Sequence, residues 1–377
     1  MSIIIGADIV PVKANQKAFE NGLMKELIGQ ELMDELRKAD YRIFNLETPL
    51  SDQETPIPKM GPCLRASEES IKGLKAIEVD LLTLANNHIM DQGVQGFRNT
   101  IAALEKAGIA TVGAGENLPQ ARKAHYVEIR GRKIGIYGCA EHEFSIAEEN
   151  YPGANSFDPL ESPDDIEQMK KQCDYVIVLY HGGKEHYRYP SPGLRKICRK
   201  IVEKGADLVV CQHSHCIGCG EEYLQGTIVY GQGNFLFAGE DNEYWHTGML
   251  LAVEEDRTIR YIPVIRQGNG VRKANETETQ EILRGFSERS EEIRSDVFVE
   301  EQYRQFAKEF RNEYIAWFMG KTQGIGFRIL NKLSRGRTGR RTVDKYMKTY
   351  GIGARNYIEC EAHRELFLKG LAESKKQ

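Results

Sequence analysis

The strongest constraint on the fold is an alternation that runs through roughly the first 270 residues. Short apolar, β-branched runs at 3–5, 42–46, 81–85, 110–112, 133–138, 175–180, 208–211, 227–230, 249–253 and 259–264 read as strands. Stretches at 21–39, 67–77, 93–107 and 191–204 lie between them with helical spacing, several entered from Ser, Asp or Gly. Strands alternating with helices mean an α/β domain whose early strands are parallel and covered by helices. The later strands follow one another closely, through turns such as Leu224-Gln225-Gly226-Thr227, and add an antiparallel portion. Strand signals stop near 268–275, and 278–294, 299–319 and 327–333 read as helices. The expected division is therefore a domain over 1–270 and a mostly helical extension over 276–377.

In open α/β sheets ligands bind beyond the carboxyl ends of parallel strands, and the reactive side chains gather there. Asp8 follows the first strand. Asn45 and Glu47 end the second, and Asn86, Asn87 and His88 follow the third, with Asp91 shortly after. His181 and Glu185 follow the strand at 175–180, and His213 and His215 the one at 208–211. Asn234 follows 228–230, with Gly231 and Gly233 just before it. Singly, each has an ordinary explanation: a strand-end Asp is often a helix cap, an Asn pair a turn, a His a hydrogen-bonded structural residue. Jointly, six strands deliver carboxylate, carboxamide or imidazole to one edge, a donor set suited to Zn, Mn or Fe. A rival use of the same stretch is a structural zinc site built from Cys211, His213, His215, Cys216 and Cys219.

Composition narrows the remaining options. A net charge of −4 over 377 residues offers no whole-chain attraction to nucleic acid. No apolar run is long enough for a transmembrane helix, and residues 3–8 read as a buried strand rather than a signal peptide. Eight cysteines, several inside apolar patterns, are too sparse for a disulfide scaffold and favour a cytoplasmic setting. The run Arg335-Gly336-Arg337-Thr338-Gly339-Arg340-Arg341 reads as a basic loop between helices. Its sharper reading is weak contact with phosphate or anionic lipid headgroups at a membrane surface.

Seven motifs together resemble a known family. They are Gly6-Ala7-Asp8, Asn45-Leu46-Glu47-Thr48-Pro49-Leu50, Leu84-Ala85-Asn86-Asn87-His88 continuing to Asp91 and Gly93, Gly113-Ala114-Gly115, His181-Gly182-Gly183-Lys184-Glu185, His213-Ser214-His215, and Tyr230-Gly231-Gln232-Gly233-Asn234-Phe235. Their order and spacing over residues 1–265 resemble the CapA family of capsule and poly-γ-glutamate synthesis, a branch of the calcineurin-like metallophosphatases. The resemblance implies a two-sheet αββα sandwich of metallophosphatase type with a C-terminal helical appendage. It also implies one or two divalent ions, and hydrolysis of phosphoesters by metal-activated water. Asp8 would be a ligand of the first metal, Glu47 would bridge, and Asn87 and His181 would hold the second. His213 and His215 would give one imidazole to each. His88, held by Asp91, would protonate the leaving group. Glu185 would be a further ligand or a partner of His181, and Asn45, Asn86 and Asn234 would support the site or the substrate.

Two departures weaken the implied first position: Val10 stands where the superfamily has a His, and Glu47 where it has an Asp. The implied substrate is anionic or phosphorylated, polyglutamate or a capsule precursor, with Lys184 and Arg188 as sources of positive charge. The alternative is a non-catalytic or weakly catalytic accessory that binds an anionic polymer or its synthase.

Overall fold

The computed structural model describes residues 1–239, 241–320 and 324–373. Its strands, in chain order, are β1 (Ile3–Val10), β2 (Tyr41–Leu46), β3 (Leu81–Thr83), β4 (Ala110–Val112), β5 (Ala114–Gly115), β6 (His125–Ile129), β7 (Arg132–Ala140) and β8 (Gly153–Ala154). They continue as β9 (Tyr175–His181), β10 (Leu208–Gln212), β11 (Ile217–Tyr223), β12 (Gly226–Gln232), β13 (Asn234–Phe237), β14 (Thr247–Val253), β15 (Ile259–Gln267) and β16 (Gly270–Lys273). Among the described residues one sheet runs β16-β15-β14-β1-β2-β3-β4, with β13 also on β1, and a second runs β11-β12-β10-β9-β7-β6.

Alternation along the strands explains why two sheets form rather than one. Ile3 and Ile5 of β1, with Ile43 and Leu81, join Ile177 and Leu179 of β9 and Leu208 and Val210 of β10 in one buried layer between the sheets. Ile4, Phe44 and Leu82 point the other way, onto Phe19, Leu32, Leu36, Phe97 and Leu104. Val176, Val178 and Tyr180 likewise face Ile166, Met169, Leu194 and Ile201 on the far side of the second sheet. Strands buried on both faces need near-continuous apolar runs, and β1 and β9 are buried at every position. The result is the expected αββα sandwich of two sheets with helices outside, followed by further helices.

β1 positions the site. Its first half pairs antiparallel with β14 through Ile3–Ile5, and its second half pairs parallel with β13, Asp8 opposite Asn234. The register slips between Asp8 and Ile9, and again on the β2 side between Ile5 and Asp8, where Asp8 comes to lie opposite Asn45. Such bulges re-aim side chains at a sheet's functional edge. In the second sheet Ala140, His181 and Gln212 stand in one row across β7, β9 and β10.

The chain divides into two compact units, Met1–Val299 and a second beginning at Glu300. The helix Glu276–Glu292 contacts β11 and β15 and so belongs to the first unit, which extends beyond the 270–276 boundary read from the end of the strand signals. In the second unit, Arg337–Glu359 is helical. Arg337, Arg340 and Arg341 therefore stand on a helix, whereas the sequence reading placed them in a loop. No helix among the described residues is long and apolar enough to cross a membrane.

Candidate metal centre

Every strand-end residue singled out above, Glu185 apart, is buried at the same edge of the sandwich. Asp8 and Glu47 are fully buried, and the orbit of contacts around them is tight. Asn45 donates through Nδ2 to Asp8 Oδ1 (2.8 Å) and the same nitrogen lies 3.3 Å from His181 Nδ1. Asn86 donates to Asn45 Oδ1 (3.0 Å) and to the Leu46 carbonyl (2.9 Å), tying the turn after β3 to the end of β2. The His88 amide closes that turn on Asn86 Oδ1 at 3.1 Å, the side-chain-to-backbone closure for which Asn is suited.

Two groups of ligand-type atoms result, sharing one residue. Glu47, His181 and His213 form the first, and Asp8, Glu47 and His215 the second, the atoms of each lying within 4.8 Å of one another. His181 Nε2 is 3.5 Å from Glu47 Oε1, 3.2 Å from Asn87 Oδ1 and 3.1 Å from His213 Nδ1. His215 Nδ1 is 2.9 Å from Asn234 Oδ1 and 3.7 Å from Asp8 Oδ2, the latter too long for a hydrogen bond.

The decisive observation is what the carboxylates lack. Asp8 Oδ2 and both oxygens of Glu47 are buried without a hydrogen-bond partner. An unpaired buried carboxylate costs several kcal/mol, roughly, so three such oxygens facing imidazoles fit a site built for a cation. The titration directions of Glu47, His181 and His213 agree. Burial, then the charge of Asp8, push the Glu47 carboxyl well above its ordinary range. Burial and the neighbouring His215 lower His213 to about 4, and burial with His213, His215 and His88 lowers His181. Neutral imidazole is the form that binds metal. Burial also opposes the charged form of His215, but the Asp8 carboxylate outweighs it and raises that residue.

Two of the site residues also carry backbone strain. His213 and His215 have φ of 86° and 53°, in the left-handed region that non-glycine residues seldom occupy. Gly233 (φ 71°) brings Asn234 beneath His215; a Cβ there would stand 2.6 Å from the Thr247 carbonyl oxygen.

Beside these groups lies a buried acid–base cluster. His88 Nδ1 is 2.5 Å from Asp91 Oδ2, and the other Asp91 oxygen accepts from Lys59 Nζ at 2.6 Å. Lys59, on the loop between Ser51 and Ala66, also donates to the Asn87 carbonyl (3.2 Å), and its side chain is only 2% exposed. Sequence reasoning missed Lys59, since nothing periodic marks its loop. It missed Trp245 as well, whose ring lies 4.9 Å from that of His215 and whose Nε1 donates to His186 at 3.0 Å.

Two expectations fare differently. The polar group against His181 Nδ1 is Asn45, and Glu185 is exposed and outside both ligand groups. Among the described residues no cysteine joins a candidate metal group: Cys211 Sγ lies 3.6 Å from Cys198 Sγ in the apolar core, so the Cys/His zinc alternative is not assembled. Val10 is wholly buried opposite Phe237 and contributes no donor.

Comparison with known proteins reaches the same region. The family described as "Bacterial capsule synthesis protein PGA_cap" matches residues 3–239. A "PGA biosynthesis protein CapA" of Bacillus subtilis is 34% identical over 205 residues, covering 53% of this chain and 54% of that protein. A "Probable polyglutamine synthesis accessory protein" of Mycobacterium tuberculosis is 31% identical over 245 residues, covering 62% of this chain and 63% of the relative. The chain thus spans about half the length of the Bacillus relatives it matches. Among solved structures, a phosphatase of Mycoplasma pneumoniae aligns at 14% identity and a TM-score of 0.44, over 74% of this chain and 96% of that one.

Proposed function

Since the chain belongs to the bacterial capsule synthesis protein PGA_cap family, we propose that its strand-end site is a divalent-metal phosphoesterase centre serving the synthesis of an anionic capsule polymer. The observation that carries this reading is Glu47, fully buried, shared by two ligand groups, and without a partner for either oxygen. Glu47, His181, His213 and Asn87 would hold one ion, and Asp8, Glu47 and His215 a second, weaker one because Val10 adds nothing. Carboxylate with imidazole suits Mn, Zn or Fe. A bound ion there supplies an acidified water and positive charge for phosphoryl oxygens.

The chain's own residues supply the rest. His88, its Nδ1 engaged by Asp91, leaves Nε2 to deliver a proton to the leaving oxygen as the phosphorus–oxygen bond breaks and water's oxygen bonds to phosphorus. Lys59 holds Asp91 in place from its other side. The substrate class is a phosphorylated or otherwise anionic precursor of the polymer, polyglutamate itself being the polymer the family's name points to.

A second reading, an accessory that binds polymer or synthase without turnover, is favoured by Val10 and by the accessory role in the mycobacterial relative's name. His88→Asn separates the two. The variant is expected to keep its metal content, measured by elemental analysis, while hydrolysis of an aryl phosphate panel with added Mn or Zn falls about 10²-fold or more. Turnover that is absent from the parent protein, or unchanged in the variant, would hand the site to the accessory reading.

A further inference from the structure

The second unit carries a surface that the metal centre does not explain. Residues 325–348 hold eight Lys or Arg against a single acid, Asp344, in a chain whose net charge is −4. The segment falls on two consecutive helices, Ile325–Leu333 and Arg337–Glu359. At 100° per residue Ile325, Ile329 and Leu333 share one face of the first. They are 75%, 53% and 77% exposed. Arg328 and Lys332 flank that face. On the second helix Arg337, Arg341, Lys345 and Lys348 form one stripe, each exposed.

The joint between the helices determines which faces are left outside. Asn331 accepts the Gly339 amide on Oδ1 (2.8 Å) and, through its carbonyl, the Gly336 amide (2.8 Å). A Cβ at Gly339 would stand 2.9 Å from that Oδ1, so the close approach depends on the glycine. Asn331 and Gly339 lie opposite the apolar face and the basic stripe on their respective helices, so both surfaces point away from the contact. Asp344 is already engaged by Arg311 at 3.4 Å, and among the described residues none of the eight cations in the segment has a carboxylate partner.

We propose that this pair of helices docks the chain on an anionic membrane surface. A soluble polyanion would need the charge alone. Exposed Ile and Leu beside the charge need an apolar phase at the same place, and a basic amphipathic helix in contact with anionic headgroups meets both demands. The occupant is thus a lipid bilayer, with the aliphatic side chains in the headgroup boundary and the cations on its phosphates.

The test uses the full chain and vesicle sedimentation. Binding is expected to phosphatidylcholine vesicles containing about one third phosphatidylglycerol and not to phosphatidylcholine alone, and to fall as salt is raised. The triple change Arg337→Glu, Arg341→Glu, Lys345→Glu is expected to weaken it at least about tenfold. Ile329→Ser with Leu333→Ser, which leaves the charge intact, is also expected to weaken it several-fold. All five side chains are exposed, so the fold is not at stake. Failure of the parent protein to bind the anionic vesicles at low salt overturns the proposal. So does binding that the Ser variant retains in full and that soluble polyglutamate displaces, which would assign the surface to the polymer. None of these outcomes touches metal content or hydrolysis, so this inference and the reading of the metal centre stand or fall separately.

Discussion

Replacing Glu47 by Gln is expected to abolish tight metal binding at both positions at once, because both ligand groups pass through this carboxylate. Calorimetric titration with Mn or Zn reads the loss directly, and an effect confined to one of two binding steps would show that Glu47 is not shared. The same variant has a second, opposite consequence in metal-free protein. Glu47 has its folded-state pKa raised by burial and by Asp8. A group with a raised folded pKa contributes stability below its unfolded pKa, near 4.5, and that contribution is lost as pH rises towards the folded value. At neutral pH the metal-free parent therefore carries the cost of a buried carboxylate, and Glu47→Gln removes it. Thermal unfolding in chelator at pH 7 is expected to shift upward by about 2 °C or more, the scale of ~1 kcal/mol in a domain of this size. Near pH 4 the gain should vanish. A variant less stable than the parent at pH 7 would mean that the carboxylate is stabilised by something other than an ion.

Lys59→Met is expected to be the most damaging single change outside the hydrophobic core. Lys59 and Asp91 have side chains 2% and 0% exposed and meet at 2.6 Å. Removing one partner of such a pair strands the other charge in the interior, a loss of about 3–5 kcal/mol. Asp91 also accepts the Leu64 amide at 2.6 Å and holds His88, so the loop between Ser51 and Ala66 should loosen together with the acid–base cluster. Urea unfolding of the metal-free protein measures the cost. Adding Asp91→Asn to the Met variant should recover part of it, since the stranded charge is then gone; two losses that simply add would show that the pair is not coupled.

What the sequence made legible follows from where backbone geometry constrains chemistry. Asp8, Glu47, Asn87, His181, His213 and His215 could be found because each lies at or within a few residues of the carboxyl end of a strand, and strand ends of parallel sheets converge. Lys59 could not, because its loop has no period. It reaches the site only by folding back on Asp91 and Gln92, whose side-chain oxygens accept the Leu64 and Thr55 amides. Asn234 was visible as a polar residue just after two glycines but not as the first residue of a strand on β1, since a four-residue parallel pairing with a register slip leaves no pattern in sequence. The Glu276–Glu292 helix was visible as a helix, yet its membership of the first unit rests on long-range contacts that no local pattern marks, such as Phe286 against Tyr261 (ring centroids 5.1 Å apart), Ser290 Oγ accepting the Gly220 amide and Arg289 donating to the Gly218 carbonyl. The basic run reads as a solvated loop from its charge. Gly336 is indeed the turn before a helix, but Gly339 lies inside that helix, where the absence of a side chain serves Asn331.

The two sheets donate to the centre from distant parts of the chain: Asp8 comes from the first strand, whereas His213 and His215 follow more than 200 residues later. During synthesis, Asp8, Glu47, Asn87 and even His181 are thus made well before either ligand group can be complete. The strand that pairs with Asp8 through Asn234, and β14 on the same edge of β1, come later still. Until then β1 has an open edge, and contacts of such long sequence separation close late. On the proposed reading of the centre, an ion would find neither ligand group complete until the sandwich has closed, so its uptake would report on finished folding.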